Sequence, residues 1–186
     1  MLKFPFNQDK ALAVLLYLAK KLKEDDSPHS QADIHKISKI LYFADQKHMK
    51  RYGRPIVGDE YIAMENGPVP SKIYDIIKMV RGDSLWKDEY EFGKFFRIIN
   101  RYIVNPLRDP EMDEFSESDL ECLDESFEEN KNLTFGELKS KSHDMAYNRA
   151  RRDDTISFDN IARVAGVDDS TLDYMKTYAE NSALFK

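Results

Sequence analysis

Few side chains in this 186-residue chain are equipped for chemistry: His29, His35, His48 and His143, one cysteine at 122, and the tripeptide Ser142-His143-Asp144. Serine, histidine and aspartate are the residue types of a nucleophilic triad. Immediate neighbours, however, cannot set an imidazole between a nucleophile and an orienting carboxylate, so the tripeptide reads better as a helix cap by Ser142 with His143 packing its ring. The histidines fall in a loop and in separate helices, and an interval such as His35 to His48 matches no zinc-ligand spacing. Cys122 lies in an acidic helix, where neighbouring carboxylates disfavour the thiolate. Gly-rich phosphate loops, His-Glu-x-x-His and Gly-x-Ser-x-Gly do not occur in the sequence. These residues point to a binding protein rather than an enzyme, with no cofactor and no metal. A catalytic reading would need His143 and carboxylates to converge in a cleft.

What the chain has to position is instead a group of aromatic, Met and Pro side chains, and the stretch from Ser30 to Ser71 carries them. Ser30 followed by Asp33 has the form of a capping box and predicts a helix start. Ile34, Ile37, Leu41, Ala44 and His48 then recur at spacings of three and four, while Ile40, Tyr42 and Phe43 lie off that stripe. Apolar residues around so much of the circumference predict a central, buried helix over residues 31–51. Lys47, Lys50 and Arg51 fill its last turn before Gly53, which is ordinary complementation of the helix dipole or, alternatively, a nucleic-acid patch. Pro55-Ile56-Val57, Gly58-Asp59 and Tyr61 to Met64 predict two strands joined by a tight turn. Asn66-Gly67-Pro68-Val69-Pro70 predicts a rigid extended exit, with Ser71 capping a helix that stops at Gly82.

Around this unit the chain predicts a helix from Asn7 to Lys23 with Leu12, Leu15, Leu16, Ala19 and Leu22 inward, then a polar breaker over 24–29. Residues 85–96 have no readable class, and residues 97–104 suit a second hairpin or one bent strand. Ser116 with Asp119, and Thr134 with Glu137, repeat the capping-box pattern, the first ahead of the narrow stripe Leu120, Leu123 and Phe127. A short helix is expected from Ile156-Ser157 to Val164, and a last one from Asp169 with Leu172, Met175 and Tyr178 inward. The fold class is mainly α (α+β): several helices around a central buried one, with a small antiparallel hairpin or sheet. At 41% hydrophobic the chain can bury one core. One domain over 1–186 is expected, with 167–186 a C-terminal helix at its periphery. A lone cysteine, no membrane-length apolar run and no signal peptide predict a cytoplasmic protein. The net charge of −6 is uneven, since eleven acids and no base lie between Asp109 and Glu129. Such a segment either keeps a face solvated or favours a basic partner, and it disfavours nucleic acid.

Six ordered signatures carry a family resemblance: Lys39 to Asp45, Tyr52 to Pro55, Gly58 to Met64, Gly67 to Ser71, Phe115 to Asp119 and Ser142 to Asp144. Together they resemble the Panacea domain of SocA-like antitoxins and phage-associated proteins, over a span from the first helix to about Gly166. The resemblance implies a type II antitoxin that neutralises a cognate protein toxin by direct binding. It leaves a proteolytic adaptor, which would also engage a cellular protease, or a DNA-binding regulator as alternatives. The toxin's identity and the oligomeric state are not implied. Binding calls for exposed aromatic or Met anchors with an orienting rim. The residues expected to supply them are Tyr42 and Asp45 on the central helix with Tyr61, Met64, Asn66, Pro68 and Pro70 beside it. These residues could equally do no more than seat the hairpin on the core. Glu121, Glu125 and Glu128 on the acidic helix are a second candidate face for a basic toxin.

Overall fold

A helix that is apolar on every side can only be stable inside a core. In the computed structural model, which describes residues 2–184, α2 (Ile34–Tyr52) is that pillar. Its predicted stripe is buried, and so are Ile40, Tyr42 and Phe43. The start of the helix differs from expectation. Asp33, not Ser30, is the cap, accepting the Lys36 amide at 2.8 Å, while Ser30 Oγ donates to the Leu22 carbonyl at 3.2 Å. Residues 32–33 are held extended instead, because the Ile34 amide donates to Tyr102 O and the Val104 amide to Ala32 O, at 2.9 and 2.8 Å, which bridges Asp33 to Ile103. Helix α1 (Gln8–Glu24), capped by Asn7, packs beside the pillar and buries Leu15, Leu16, Ala19 and Leu22.

The first hairpin also pairs differently from the prediction. Strand β1 (Tyr61–Met64) pairs with β2 (Gly67–Pro70), not with residues 55–57. Glu65-Asn66 is the two-residue turn, and Met64 faces Gly67 across it. Ladder hydrogen bonds alternate along an antiparallel pair, so Pro68 and Pro70 fall at positions where no N–H toward β1 is required. The free N–H of Ala63 turns the other way, to Asp154 O at 2.9 Å, and β1 is thereby the middle of a sheet ordered β2-β1-β5 with β5 at Thr155–Ile156. Ile156 is therefore a strand residue, and the short helix α7 (Phe158–Val164) begins after its cap Ser157. Helix α3 (Ser71–Arg81) has no side-chain cap from Ser71. The buried Asp59 carboxylate accepts the Lys72 and Ile73 amides at 3.0 and 2.9 Å from a distance in sequence.

Residues 96–106 form a hairpin, β3 (Phe96–Ile99) with β4 (Ile103–Pro106), turning through Asn100 and Arg101 at positive φ. Helix α4 (Glu117–Asn130) and α5 (Phe135–Ser142) start with both predicted capping boxes. α4 lies along α2, burying Cys122, Leu123 and Phe127, and Ser126 Oγ donates to the Ile40 carbonyl at 2.6 Å. Helix α6 (Met145–Arg149) is capped by Asp144 rather than Ser142. In α8 (Asp169–Leu184), Leu172, Met175 and Ala179 point inward, and Tyr178 stays at the exposed edge. Among the described residues no helix is long and apolar enough to cross a membrane.

Candidate partner-binding groove

The polar groups buried along α2 fix the first hairpin in place. Asp45 accepts the Ile56 amide at 2.7 Å and the Tyr61 hydroxyl at 2.8 Å, and burial pushes its carboxyl up to about 6 despite those bonds. One turn earlier, the Tyr42 hydroxyl and the Gln46 amide both donate to Asp144 at 2.9 Å, so the cap of α6 is tied to the pillar. Tyr147 of α6 then donates to the Met64 carbonyl at 2.7 Å. Lys39, fully buried, donates to the Pro68 carbonyl at 2.9 Å, and burial brings its ammonium down to about 7. At the turn itself His35 Nε2–H donates to Asn66 O at 3.2 Å, and Lys139 reaches the Asn66 side chain at 3.0 Å.

Gly67 explains why this turn tolerates nothing larger. Its φ is +102°, and a Cβ placed there would sit 2.5 Å from Ser142 Oγ and 2.8 Å from Lys39 Cε. Glycine is needed both for the backbone conformation and for the close approach of two side chains.

The seven residues expected to form a gripping surface thus divide. Tyr42, Asp45, Tyr61, Pro68 and Pro70 are buried, and only Met64 and Asn66 reach solvent. The buried five hold the turn, and the half-buried Met64 and exposed Asn66 rim a groove. One compartment, of about 380 Å³, is lined by Met64, Asn66, Val69, His35, Tyr74 and Arg152. A larger one, of about 850 Å³, runs on past Gln31, Asn100 and Asn105, and the two share His35, Tyr102 and Phe135. Tyr102 and Phe135 are exposed, and His35 stacks on Phe135 with ring centroids 4.0 Å apart. Sequence reasoning missed both aromatics. Phe135 is the first residue of α5, one turn before the buried Leu138, and Tyr102 closes a hairpin turn; both sit where the element has just left the core, so spacing alone does not show that they are exposed.

The acidic candidates are already engaged. Glu121 and Glu125 pair with Arg51 at 3.0 and 2.7 Å, Lys47 reaches Glu125 and Glu129 at 3.5 and 2.6 Å, and Glu128 pairs with Lys131 at 2.8 Å. The basic last turn of α2 and the acidic face of α4 therefore meet each other. Such exposed pairs hold weakly and can exchange partners.

The chemically capable side chains are scattered. His48 is buried, with Nδ1–H donating to the Arg54 carbonyl at 2.8 Å and Nε2 3.2 Å from Asp119. Asp119 also takes Lys10 at 2.7 Å and the Ser116 amide at 3.0 Å. Burial acts to raise its carboxyl, but the His48 and Lys10 bonds outweigh it and hold it below the usual range. His143 stacks on Tyr147 at 4.1 Å, its Nε2 without a hydrogen-bond partner among the described residues. Cys122 is pushed up to about 11, by burial first and then by Glu121 and Glu125. Among the described residues no three His, Cys, Asp or Glu side chains gather as a metal site would require.

Comparison with known families gives a match to the antitoxin SocA-like, Panacea domain over residues 37–147, more than half of the chain. The chain belongs to this antitoxin family. The matched segment holds most of α2, the first hairpin, α3 to α5 and the Asp144 cap, so it contains Tyr102, Phe135, Met64 and Asn66 of the groove, while His35 and Arg152 lie just outside it. No curated protein and no solved structure gives a match.

Proposed function

We propose that this Panacea-domain chain acts in the cytoplasm, neutralising a cognate protein toxin by direct binding, without a catalytic step, metal or cofactor. The family match carries the antitoxin part of that reading. The groove supports the binding part, because interface energy concentrates in a few aromatic or Met anchors surrounded by a rim that excludes water. Met64, Tyr102 and Phe135 are anchors of that kind, and Asn66 and Arg152 supply polar rim. A turn held by His35, Lys39, Lys139 and Tyr147 loses little freedom on binding, which favours affinity.

Co-purification with the protein encoded in the adjacent reading frame, followed by titration calorimetry, tests this. Met64→Glu and Phe135→Glu are expected to weaken binding by about tenfold or more while the thermal midpoint moves by only a few degrees. The acidic face of α4 is a second reading, for a basic toxin: there, reversing Glu121, Glu125 and Glu128 to lysine would slow association and flatten its salt dependence, and an unchanged on-rate would rule that face out. Failure of the wild-type chain to form a complex would overturn the reading.

A further inference from the structure

Exposed apolar bulk is concentrated in one part of the molecule. Leu85, Trp86, Tyr90, Ile99 and Tyr102, all exposed, fall within eighteen residues of sequence, and Leu85 has no cover at all while Trp86 is 75% exposed. The segment carrying the first three is built, not slack. Asp83 pairs with Arg81 at 2.6 Å and with Arg101 at 3.2 Å, which roots it beside the β3–β4 turn. Ser84 Oγ accepts the Trp86 amide at 3.0 Å, and Asp88 accepts the amides of Phe92 and Gly93 at 2.9 and 3.3 Å. The loop's own hydrogen bonds therefore hold two adjacent apolar side chains, Leu85 and Trp86, out in water, and contiguous exposed apolar surface marks a site of interaction.

Beside that loop lies a groove whose aromatic floor of Tyr102 and Phe135 is flanked by polar side chains, among them Lys23, Glu65 and Arg152. Arg81 and Tyr102, which frame the root of the loop, also line the groove, and its larger compartment has room for a loop tip. A projection and a recess on the same face are self-complementary under a two-fold axis, since each copy's projection then meets the other's recess. Charge permits it. The chain carries −6, but residues 81–101 hold five bases and four acids, so two copies meet here without the repulsion that the acidic 109–129 segment would produce.

We propose that this face is a two-fold homodimer interface, with Leu85 and Trp86 of one copy seated against His35, Tyr102 and Phe135 of the other. The proposal does not rest on the antitoxin reading, but it uses part of the same groove, so dimer and toxin complex would compete.

Trp86 is the only tryptophan, so its emission reports on the contact directly. The experiment combines sedimentation equilibrium with iodide quenching of Trp86 across a wide range of concentration of the purified chain. The mass should rise toward twice that of one chain as Trp86 emission shifts to the blue and quenching falls. Trp86→Ser and Phe135→Glu, at opposite sides of the contact, should each weaken self-association by at least about tenfold with unchanged circular dichroism. In Phe135→Glu, Trp86 should stay water-like at every concentration. A mass of one chain throughout with freely quenched Trp86, or a dimer that persists in either variant, overturns the proposal.

Discussion

Three buried aspartates set how this protein responds to pH. Asp45 and Asp59 are both raised to about 6 by burial, against roughly 3.9 in an unfolded chain. Between those values the native state binds more protons, so this contribution is complete below pH ~4 and lost as pH rises through about 6. Two units correspond to roughly 2–3 kcal/mol per group. Asp119 works in the opposite sense: held below the ordinary carboxylate range, it stabilises above that range and is lost as pH falls through its native value. His35, whose imidazole burial holds down at about 4, acts oppositely over the same window and adds stability as pH rises toward its unfolded value of about 6.5. In urea unfolding Asp45→Asn should therefore make stability rise more steeply from pH 5 to 7 than it does in the wild-type chain, with both collapsing in stronger acid, and a slope unchanged by the substitution would contradict this. Above pH 7 the buried Lys39, already near neutral in the native state, makes stability climb again. Removing the Asp119 charge leaves His48, Lys10 and Arg54 facing a neutral group, and Asp119→Asn is expected to cost about 3 kcal/mol in the same unfolding assay.

At the level of elements, the decisive piece is the β1–β2 turn, and Gly67 and Gly82 separate its two demands. Both have positive φ, but a Cβ at Gly82 meets nothing within 4 Å. Gly82→Ala is thus expected to cost about 1 kcal/mol from backbone strain, and Gly67→Ala roughly 2–3 kcal/mol more, because Lys39 and Ser142 must also move. Equal losses on thermal unfolding would show that the close approach does not matter. The buried circumference of α2, both acidic capping boxes and the α+β class were legible in the sequence, since each rests on local spacing. Strand partners were not. Which segment faces Tyr61 to Met64 depends on Glu65-Asn66 making the turn, and prolines at 68 and 70 disguise a strand whose amides are simply not needed. The caps at Asp33, Asp59 and Asp144 were misassigned to nearby serines for a related reason. Tertiary contacts with Tyr102, with α3 and with α2 decide which oxygen is in reach.

On the scale of the whole molecule, one logic of burial links the pillar to its surface. Sequence reasoning located the right hairpin but expected its aromatic residues to be presented, whereas Tyr42 and Tyr61 spend their rings in the core and their hydroxyls on Asp144 and Asp45. Presentation falls to Met64, Asn66, Tyr102 and Phe135, which come from three distant parts of the chain and converge only in the fold. The acidic half finds its first partner within the same chain, at the end of α2. A toxin that used α4 would first have to displace Arg51 and Lys47. Hydrogen exchange of the chain alone and in complex with the protein encoded beside it discriminates these faces most directly. Added protection is expected at residues 64–67, 99–103 and 133–138, with α4 unchanged. Protection confined to residues 117–130 would contradict the central claim that the hairpin groove is what grips the partner.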